Sequence, residues 1–374
     1  MSEIKSLYYV TYQAFPGDTA NSIQTISNLK YLSKNNVDAT LFFPLRETES
    51  SDDLNIINEK YSTNVDFKII GTQHNLPFGK FKFFNSFFFI ISHYLWSKKT
   101  INNLLKEYPL PDVFITRSDW VFYFLSKSGH NVIFEYHQNS KLRSYLTKKS
   151  IKNKRSKIIF LNNNLYQDFS NKSALGERYE ILQNGVDLEK FKYKVKKNKN
   201  EIIFVGSLKR FNKSRNVEFI IESLKKLNLN YVFKIVGAST KEIISLKKLI
   251  KNYDIEKNII FYNRLSHEET IKHLAGAEIG ILINSESNNH SIKYTSPIKY
   301  FEYLAAELKI LAVDFDSHRK LPFSENIIFF KNGDFNSFKL GLENVIRTQY
   351  IEKKLLDKIS LDERAKNIIK LASV

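Results

Sequence analysis

The sequence has no cysteine, which excludes disulfides, zinc–thiolate centres and thiol nucleophiles together. Only 12 glycines and 7 prolines occur in 374 residues, and no repeat period is visible, so fibrous and solenoid architectures are excluded. Long hydrophobic runs are also missing. The longest, Phe83 to Trp96 (FFNSFFFIISHYLW), is shorter than the roughly 20 residues of a membrane-spanning helix and is broken by Asn85, Ser86, Ser92 and His93. The N-terminal MSEIKSLYYVTY lacks the basic-then-apolar pattern of a secretory signal. These absences lead us to expect a soluble cytoplasmic protein.

What is present is a large apolar share, 43%, with 14% aromatics. That is ample for packed cores, and at about 100–200 residues per domain the length suggests two of them. Basic residues outnumber acidic ones, 57 to 39, for a net charge of +18. They cluster: KLRSYLTKKSIKNKRSK (141–157) holds eight Lys or Arg and no acid, and KYKVKKNK (192–199) forms a second group. Such clusters suit nucleic acid, an anionic membrane surface or phosphorylated small molecules; they also occur as plain solvated faces.

The order of segments predicts an α/β protein. SLYYVTY (6–12), DATLFFP (38–44), DVFITRS (112–118), NVIFEYH (131–137) and KIIFLNN (157–163) read as strands of a parallel sheet, because their apolar runs are nearly continuous. Ile23, Ile26, Leu29 and Leu32 put a helix between the first two, and 83–105 and 120–125 read as further helices. The pattern restarts at EIIFVGSL (201–208), followed by a helix over 217–227 and by strands at 231–237, 258–264, 279–284 and 309–314. This predicts two Rossmann-like, doubly wound domains facing each other across a cleft. The expected boundaries are 1–187 for the first domain, 188–200 for a linker and 201–354 for the second, with a terminal helix at about 355–374 able to pack back on the first.

Three segments carry chemistry at strand ends. In SPIKYFEYLAAE (296–307), Ser296 suits an N-cap and Pro297 the first helical position. The free amides of such a helix start, from Ser296 to Ile298, can hold a phosphate. Lys299 would oppose the helix dipole unless an anion is bound, and Glu302 follows one turn later; the spacing equally fits an amphipathic helix with Glu302 facing water. After EIIFVGSL, Gly206 permits a tight turn, and KRFNKSRN (209–216) places Lys209, Arg210, Lys213 and Arg215 before the next helix, as a diphosphate clamp or a solvated basic loop would. The G-x4-G-K-S/T phosphate loop is missing. In the first half, Gly17 lies in the turn FPGDTANSIQ (15–24), which is not a dinucleotide fingerprint. His137 ends a strand with Glu135 on the same face, and Arg117 ends another; His137 could serve a substrate or be satisfied by a carbonyl.

Together these segments resemble the GT-B glycosyltransferases of family 4, the retaining, nucleotide-sugar-dependent group. FPGDTANSIQTISNLKYLSKNNVDATLFFP resembles that family's first glycine loop and helix, FEYHQ its strand ending in His, and ILQNGVDLEKF (181–191) its asparagine-glycine-valine-aspartate signature. VGSL with its basic loop is similar to the G-R-L…K-G segment, and SPIKYFEYLAAE to the S-P-x-K…E-Y-x-A helix. The resemblance implies that Glu302 holds the nucleotide ribose, that the amides around Ser296 to Ile298, with Lys299, hold phosphate, and that Gly17 admits the diphosphate. It further implies that His137 contacts the donor sugar, and it leaves Arg210, Lys213 and Arg215 as alternative diphosphate cations, with Arg215, which Asn216 follows, favoured for the place of the family lysine.

Three positions depart from the family pattern. Tyr294 stands where the first Glu of E-x7-E falls, Ser207 replaces the Arg of G-R-L, and Glu307 replaces a glycine after the helix. The expected activity is metal-independent hexosyl or related transfer, with no cofactor beyond the nucleotide-sugar donor. The expected acceptor is a glycan or lipid-linked molecule of lipopolysaccharide or polysaccharide synthesis. The run 83–96 and the stretch 141–157 suggest peripheral contact with an anionic membrane at the inner face of the plasma membrane. A degenerate, non-catalytic sugar-nucleotide or nucleic-acid binding protein is the alternative that the departures raise.

Overall fold

The computed structural model describes residues 3–17, 19–46, 50–74, 76, 85–170, 172–193, 195–210, 212–228, 230–250 and 256–374. By its internal contacts the chain forms two units, Met1–Leu182 with Leu361–Val374, and Gln183–Ser360.

The first unit is built on seven parallel strands: β1 (Ser6–Val10), β2 (Asp38–Leu45), β3 (Lys68–Gln73), β4 (Val113–Thr116), β5 (Val132–Tyr136), β6 (Ser156–Phe160) and β7 (Tyr179–Ile181). Their order is β3-β2-β1-β4-β5-β6-β7. β4, β5 and β6 are buried at every position, which is why their sequences are mostly apolar rather than alternating. The strand order reverses between β1 and β4, and the carboxyl edge at such a reversal is where a doubly wound sheet binds ligands. Edge strands β3 and β7 escape the sequence reading because they are only partly buried.

The helix Ala20–Lys34 starts at Thr19, whose side chain accepts from the Ser22 amide. Its Leu29 and Leu32 share a core with Leu361, Ala365, Ile368 and Leu371 of the terminal helix Leu361–Ser373. Asn35 donates to Asp362 at 2.9 Å and fastens the two helices further.

The second unit has a six-stranded parallel sheet of β8 (Asn198–Val205), β11 (Val232–Val236), β12 (Ile259–Tyr262), β13 (Ala277–Leu282), β14 (Lys309–Val313) and β15 (Ile327–Phe330), in the order β12-β11-β8-β13-β14-β15. A small antiparallel pair, β9 (Lys209–Arg210) and β10 (Lys213–Ser214), lies in the loop after β8. Here the reversal falls between β8 and β13.

The divisions differ from those expected at 187/188 and 354/355. Residues 188–200 are not a linker. Asp187 caps a short 3-10 turn at Leu188–Lys190, Val186 bridges Ser360, and Asn198 opens β8. Asn184 is already bonded to Ser296, and Leu356 and Ile359 are core residues of the second unit. The chain therefore changes unit at 182/183 and 360/361.

Phe83 and Phe84 of the aromatic run lie outside the described residues. The helix Asn85–Glu107 buries His93, Trp96, Ser97, Ile101 and Leu104, while Phe87 to Ile91 and Leu95 are exposed. Among the described residues, no helix is long and apolar enough to cross a membrane.

Candidate functional site

In the second unit the strand reversal is floored by glycine. Gly206 ends β8 at φ +149°, and its amide donates to Val236 O at 2.8 Å. Gly237 ends the neighbouring β11 at φ +99°, and a β-carbon there would lie 3.5 Å from the Gly206 nitrogen. Side-chain-bearing residues disfavour both conformations, and the pair leaves the carboxyl edge open to other groups. The group that approaches is a guanidinium: a β-carbon on Gly206 would meet Arg215 Nη1 at 3.0 Å.

The β9–β10 hairpin brings Arg215 to this place, since its amide donates to Leu208 O at 2.9 Å. Arg215 makes no side-chain hydrogen bond among the described residues, and its Nε is buried without an acceptor. Burial lowers the Arg215 pKa. Arg210 is held down to about 10 by burial and by the like charge of Arg215. The two cations lie close enough to act on each other, and Glu242 acts on Arg215 through space. Lys213 is exposed on β10, Phe211 lies outside the described residues, and the Ser207 hydroxyl donates to Lys209 O at 2.6 Å.

Arg210 carries the basic loop to the second phosphate candidate, its Nη1 lying 3.4 Å from Thr295 Oγ1. The helix that follows runs Ile298–Ala305, with Pro297 rather than Ser296 at the N-cap, and no side chain caps it. Its start is therefore one residue later than the sequence suggests, because Ser296 is engaged elsewhere. The Ser296 hydroxyl accepts from the Asn184 amide at 3.2 Å and donates to Gln183 Oε1 at 3.4 Å, while Asn184 Nδ2 donates to Ser296 O at 2.5 Å. The asparagine of the NGVD segment thus clamps the residue before the helix and leaves the first amides, at Ile298 and Lys299, without a side-chain cap. Tyr303 ties the same helix to the sheet: its hydroxyl accepts from the Val205 amide at 3.1 Å and lies 3.3 Å from Ile281 O. Gly280 makes room for that ring, since a β-carbon there would come within 2.5 Å of it.

Glu302 is buried and does not face water as an ordinary amphipathic helix would have it. Lys299 Nζ donates to Oε2 at 2.7 Å and His267 Nε2 to Oε1 at 2.9 Å. Burial alone would raise the carboxyl pKa, but Lys299 and His267 outweigh it and bring it down to about 2. Tyr294 ends a π-helical turn, His290–Tyr294, just ahead of the clamp. Glu307 sits at φ +57° beyond the helix, in the left-handed position that a glycine usually fills.

In the first unit, His137 follows β5 and is half-buried. It makes no hydrogen bond among the described residues, so no carbonyl satisfies it. Burial and the neighbouring Arg117 hold its pKa well below the usual imidazole range, so it is neutral. Beside it in the chain lies an ion-paired network around Glu135, in which Arg117 Nη2 and Arg364 Nε are buried without an acceptor. Arg117 Nε donates to Glu135 Oε2 at 2.7 Å, Arg364 Nη2 to Oε1 at 2.6 Å, and the Tyr9 hydroxyl to Oε2 at 2.7 Å. Burial would raise the Glu135 pKa, but the two guanidiniums depress it far below the carboxylate range. Arg117 is therefore a partner of Glu135 and of Asn21, rather than an exposed ligand for an acid. The backbone of Gly17 is taken by Tyr61, which accepts from its amide at 2.7 Å and donates to its carbonyl at 2.9 Å, and a β-carbon there would press on Ser22 Oγ at 2.6 Å.

Thus Gly206, Arg210, Arg215, Ser296, Pro297, Ile298, Lys299 and Glu302 gather at one sheet edge in the second unit, whereas His137 and Gly17 belong to the first. His267, Thr295, Asn184 and Tyr303 are site-building residues whose roles sequence reasoning missed. The box Ser266–Glu269 announces the helix His267–Gly276, but nothing in the sequence signals that its first residue meets Glu302.

Residues 186–360 match the family model of glycosyl transferases group 1. No curated protein sequence matches the chain significantly. Among solved structures, it is similar to a glycosyltransferase from Rickettsia africae (14% identity, 99% of this chain and 98% of that one, TM-score 0.69). It is similar also to the apo form of the lipopolysaccharide outer core galactosyltransferase WaaB (14%, 99% and 100%, TM-score 0.65) and to Anabaena HepE in complex with UDP-glucose (10%, 98% and 99%, TM-score 0.63). The chain thus has the two Rossmann-like units of the GT-B fold, and its residues 186–360 are similar to the glycosyl transferases group 1.

Proposed function

We propose that the protein is a retaining glycosyltransferase that moves a hexose or related sugar from a nucleoside-diphosphate donor to a glycan or lipid-linked acceptor, in lipopolysaccharide or cell-surface polysaccharide synthesis. The observation that carries this reading is that Arg210, beside Arg215, reaches Thr295 just ahead of the uncapped start of the Ile298–Ala305 helix. Breaking the bond between the sugar and the diphosphate builds negative charge on the leaving group. Two guanidiniums and helix amides fixed beforehand in a partly buried place would stabilise that charge without reorganising, a contribution typically of about 2.7–4 kcal/mol per donor. They supply positive charge of the kind a divalent ion supplies in other transferases, and on this reading transfer persists in a chelator. Glu302 accepts from the ribose, and Lys213 is an outer cation of the same loop. In the first unit, neutral and unpartnered His137 is the group we assign to hydrogen-bonding a sugar hydroxyl. The UDP-glucose of HepE and the lipopolysaccharide acceptor of WaaB support the choice of donor class and pathway by analogy of fold.

We further propose that the first unit works at an anionic membrane on the cytoplasmic side. Helices Asn85–Glu107, Asp119–Lys127 and Lys141–Ser150 pack side by side. The outer members expose Phe87, Phe88, Ile91 and Leu95 on one and Lys141, Lys148, Lys149 and Tyr145 on the other. Sedimentation with vesicles tests this: the chain should pellet with anionic vesicles at low salt, and recovery in the supernatant would reject membrane contact.

The central test is a thermal-shift screen with UDP-, GDP-, ADP- and CMP-sugars, followed by release of nucleoside diphosphate from the one that binds. Glu302→Ala should abolish that release. A non-catalytic nucleic-acid binder would instead show salt-sensitive affinity that survives this substitution.

A further inference from the structure

Glu302 presents a problem of orientation. Its carboxylate is buried, and a buried charge is tolerated only if its lone pairs are met. Two donors meet them, from different sources. Lys299 lies on the same helix one turn earlier, at the end of a flexible stem that is about one-third exposed. His267 comes from another helix and is its first residue. There the capping box fixes the backbone: Ser266 Oγ accepts from the Glu269 amide at 3.2 Å, and the Ser266 amide donates to Glu269 Oε2 at 3.0 Å. One donor is therefore mobile and the other rigid. If Lys299 turns towards a bound phosphate, His267 is the partner that remains on Glu302.

We propose that His267 is a positioning residue for ribose recognition: its Nε2–H holds Glu302 Oε1, so that the carboxylate accepts from both vicinal ribose hydroxyls and selects ribonucleoside diphosphate donors over 2′-deoxy ones. The inference rests on the donor reading above and adds to it the residue that orients the carboxylate. The geometry requires the imidazole to carry its proton on Nε2, since a carboxylate only accepts. An ionised carboxylate has about four lone-pair sites. His267 and Lys299 take one each, which leaves two for the 2′- and 3′-hydroxyls. A 2′-deoxy donor leaves one of them empty in a buried place, and sites built for a hydroxyl reject the analogue that lacks it.

The experiment is titration calorimetry on the full chain, with UDP, GDP and ADP, the 2′-deoxy form of each, and inorganic pyrophosphate. The wild-type protein should bind at least one ribonucleoside diphosphate more tightly than its 2′-deoxy form. His267→Ala should lose about tenfold in affinity for the ribonucleotide and most of that preference, with pyrophosphate affinity unchanged. His267→Gln, whose side-chain amide can donate from nearly the same position, should restore both. His267→Leu fills the volume without a donor and is read as His267→Ala if the latter fails to fold. Equal losses for ribonucleotide, 2′-deoxynucleotide and pyrophosphate, or no loss at all, would overturn the role of His267 while leaving the donor reading intact. Failure of the wild-type chain to bind any diphosphate would overturn the donor reading itself.

Discussion

The two units each place arginines at the carboxyl edge of a doubly wound sheet, and they treat the charge in opposite ways. In the first, Arg117 and Arg364 close on Glu135, and all three side chains are almost wholly buried, at 9%, 3% and 1% exposure. In the second, Arg215 has no acceptor and its neighbour is another cation, Arg210. A guanidinium bonded to a buried carboxylate builds a scaffold; one without a hydrogen-bond acceptor at a sheet edge is open to a ligand. The same residue type is therefore structural in one unit and, in the function proposed above, a ligand-binding group in the other.

The contrast can be broken by mutation. Glu135→Gln strands two buried guanidiniums and should destabilise the first unit by about 3–5 kcal/mol, measured as a fall in the denaturant midpoint; a change below about 1 kcal/mol would show that the network is dispensable. Arg215→Ala should do the reverse, lowering kcat by about 100- to 1,000-fold while leaving the unfolding midpoint nearly unchanged. A large stability loss in that variant would make Arg215 structural as well.

Acid should also separate the units. Burial, with help from Arg46 and Lys99, lowers the His74 pKa to about 4, and burial with Arg143 lowers that of His93 to about 3. His137 and His130 are also lowered, whereas the second unit holds His318, at about 4, and His273. The unfolded chain takes up these protons near pH 6.5 and the folded units do not, so stability falls as pH drops from 6.5 towards 4. With four such histidines against two, the first unit should lose more. Hydrogen exchange read by mass spectrometry at pH 7 and 5 measures each unit separately, and equal losses would contradict the assignment. The smallest effect concerns Glu307. Replacing it by glycine relieves a left-handed backbone at the cost of a surface pair with Lys353 at 2.6 Å, for a net gain of at most about 1 kcal/mol in stability.

Much of the fold was legible. The strand runs at 6–12, 131–137 and 309–314 and the helix at 217–227 are close to the observed elements, because a strand covered on both faces must be apolar throughout and that pattern is local. Edge strands β3 and β7 were not legible, since half-buried positions need no such run, whereas β15 (IIFF) is an apolar run that went unread. Within the site, Gly206 and the basic loop declared themselves through turn chemistry and charge. The capping role expected of Ser296 did not survive, because Asn184, 112 residues away, takes its hydroxyl.

The sequence by itself determined the alternation of strands and helices, the strand ends that carry polar and basic side chains, and the surplus of positive charge. All of these follow from the order of neighbouring residues. Only the tertiary structure decided which charges are cancelled: Arg364 reaches Glu135 across 229 positions, His267 reaches Glu302 across 35, and Arg215 reaches no acceptor. Electrostatic energy depends on separation in space and on burial, and neither is a property of separation along the chain.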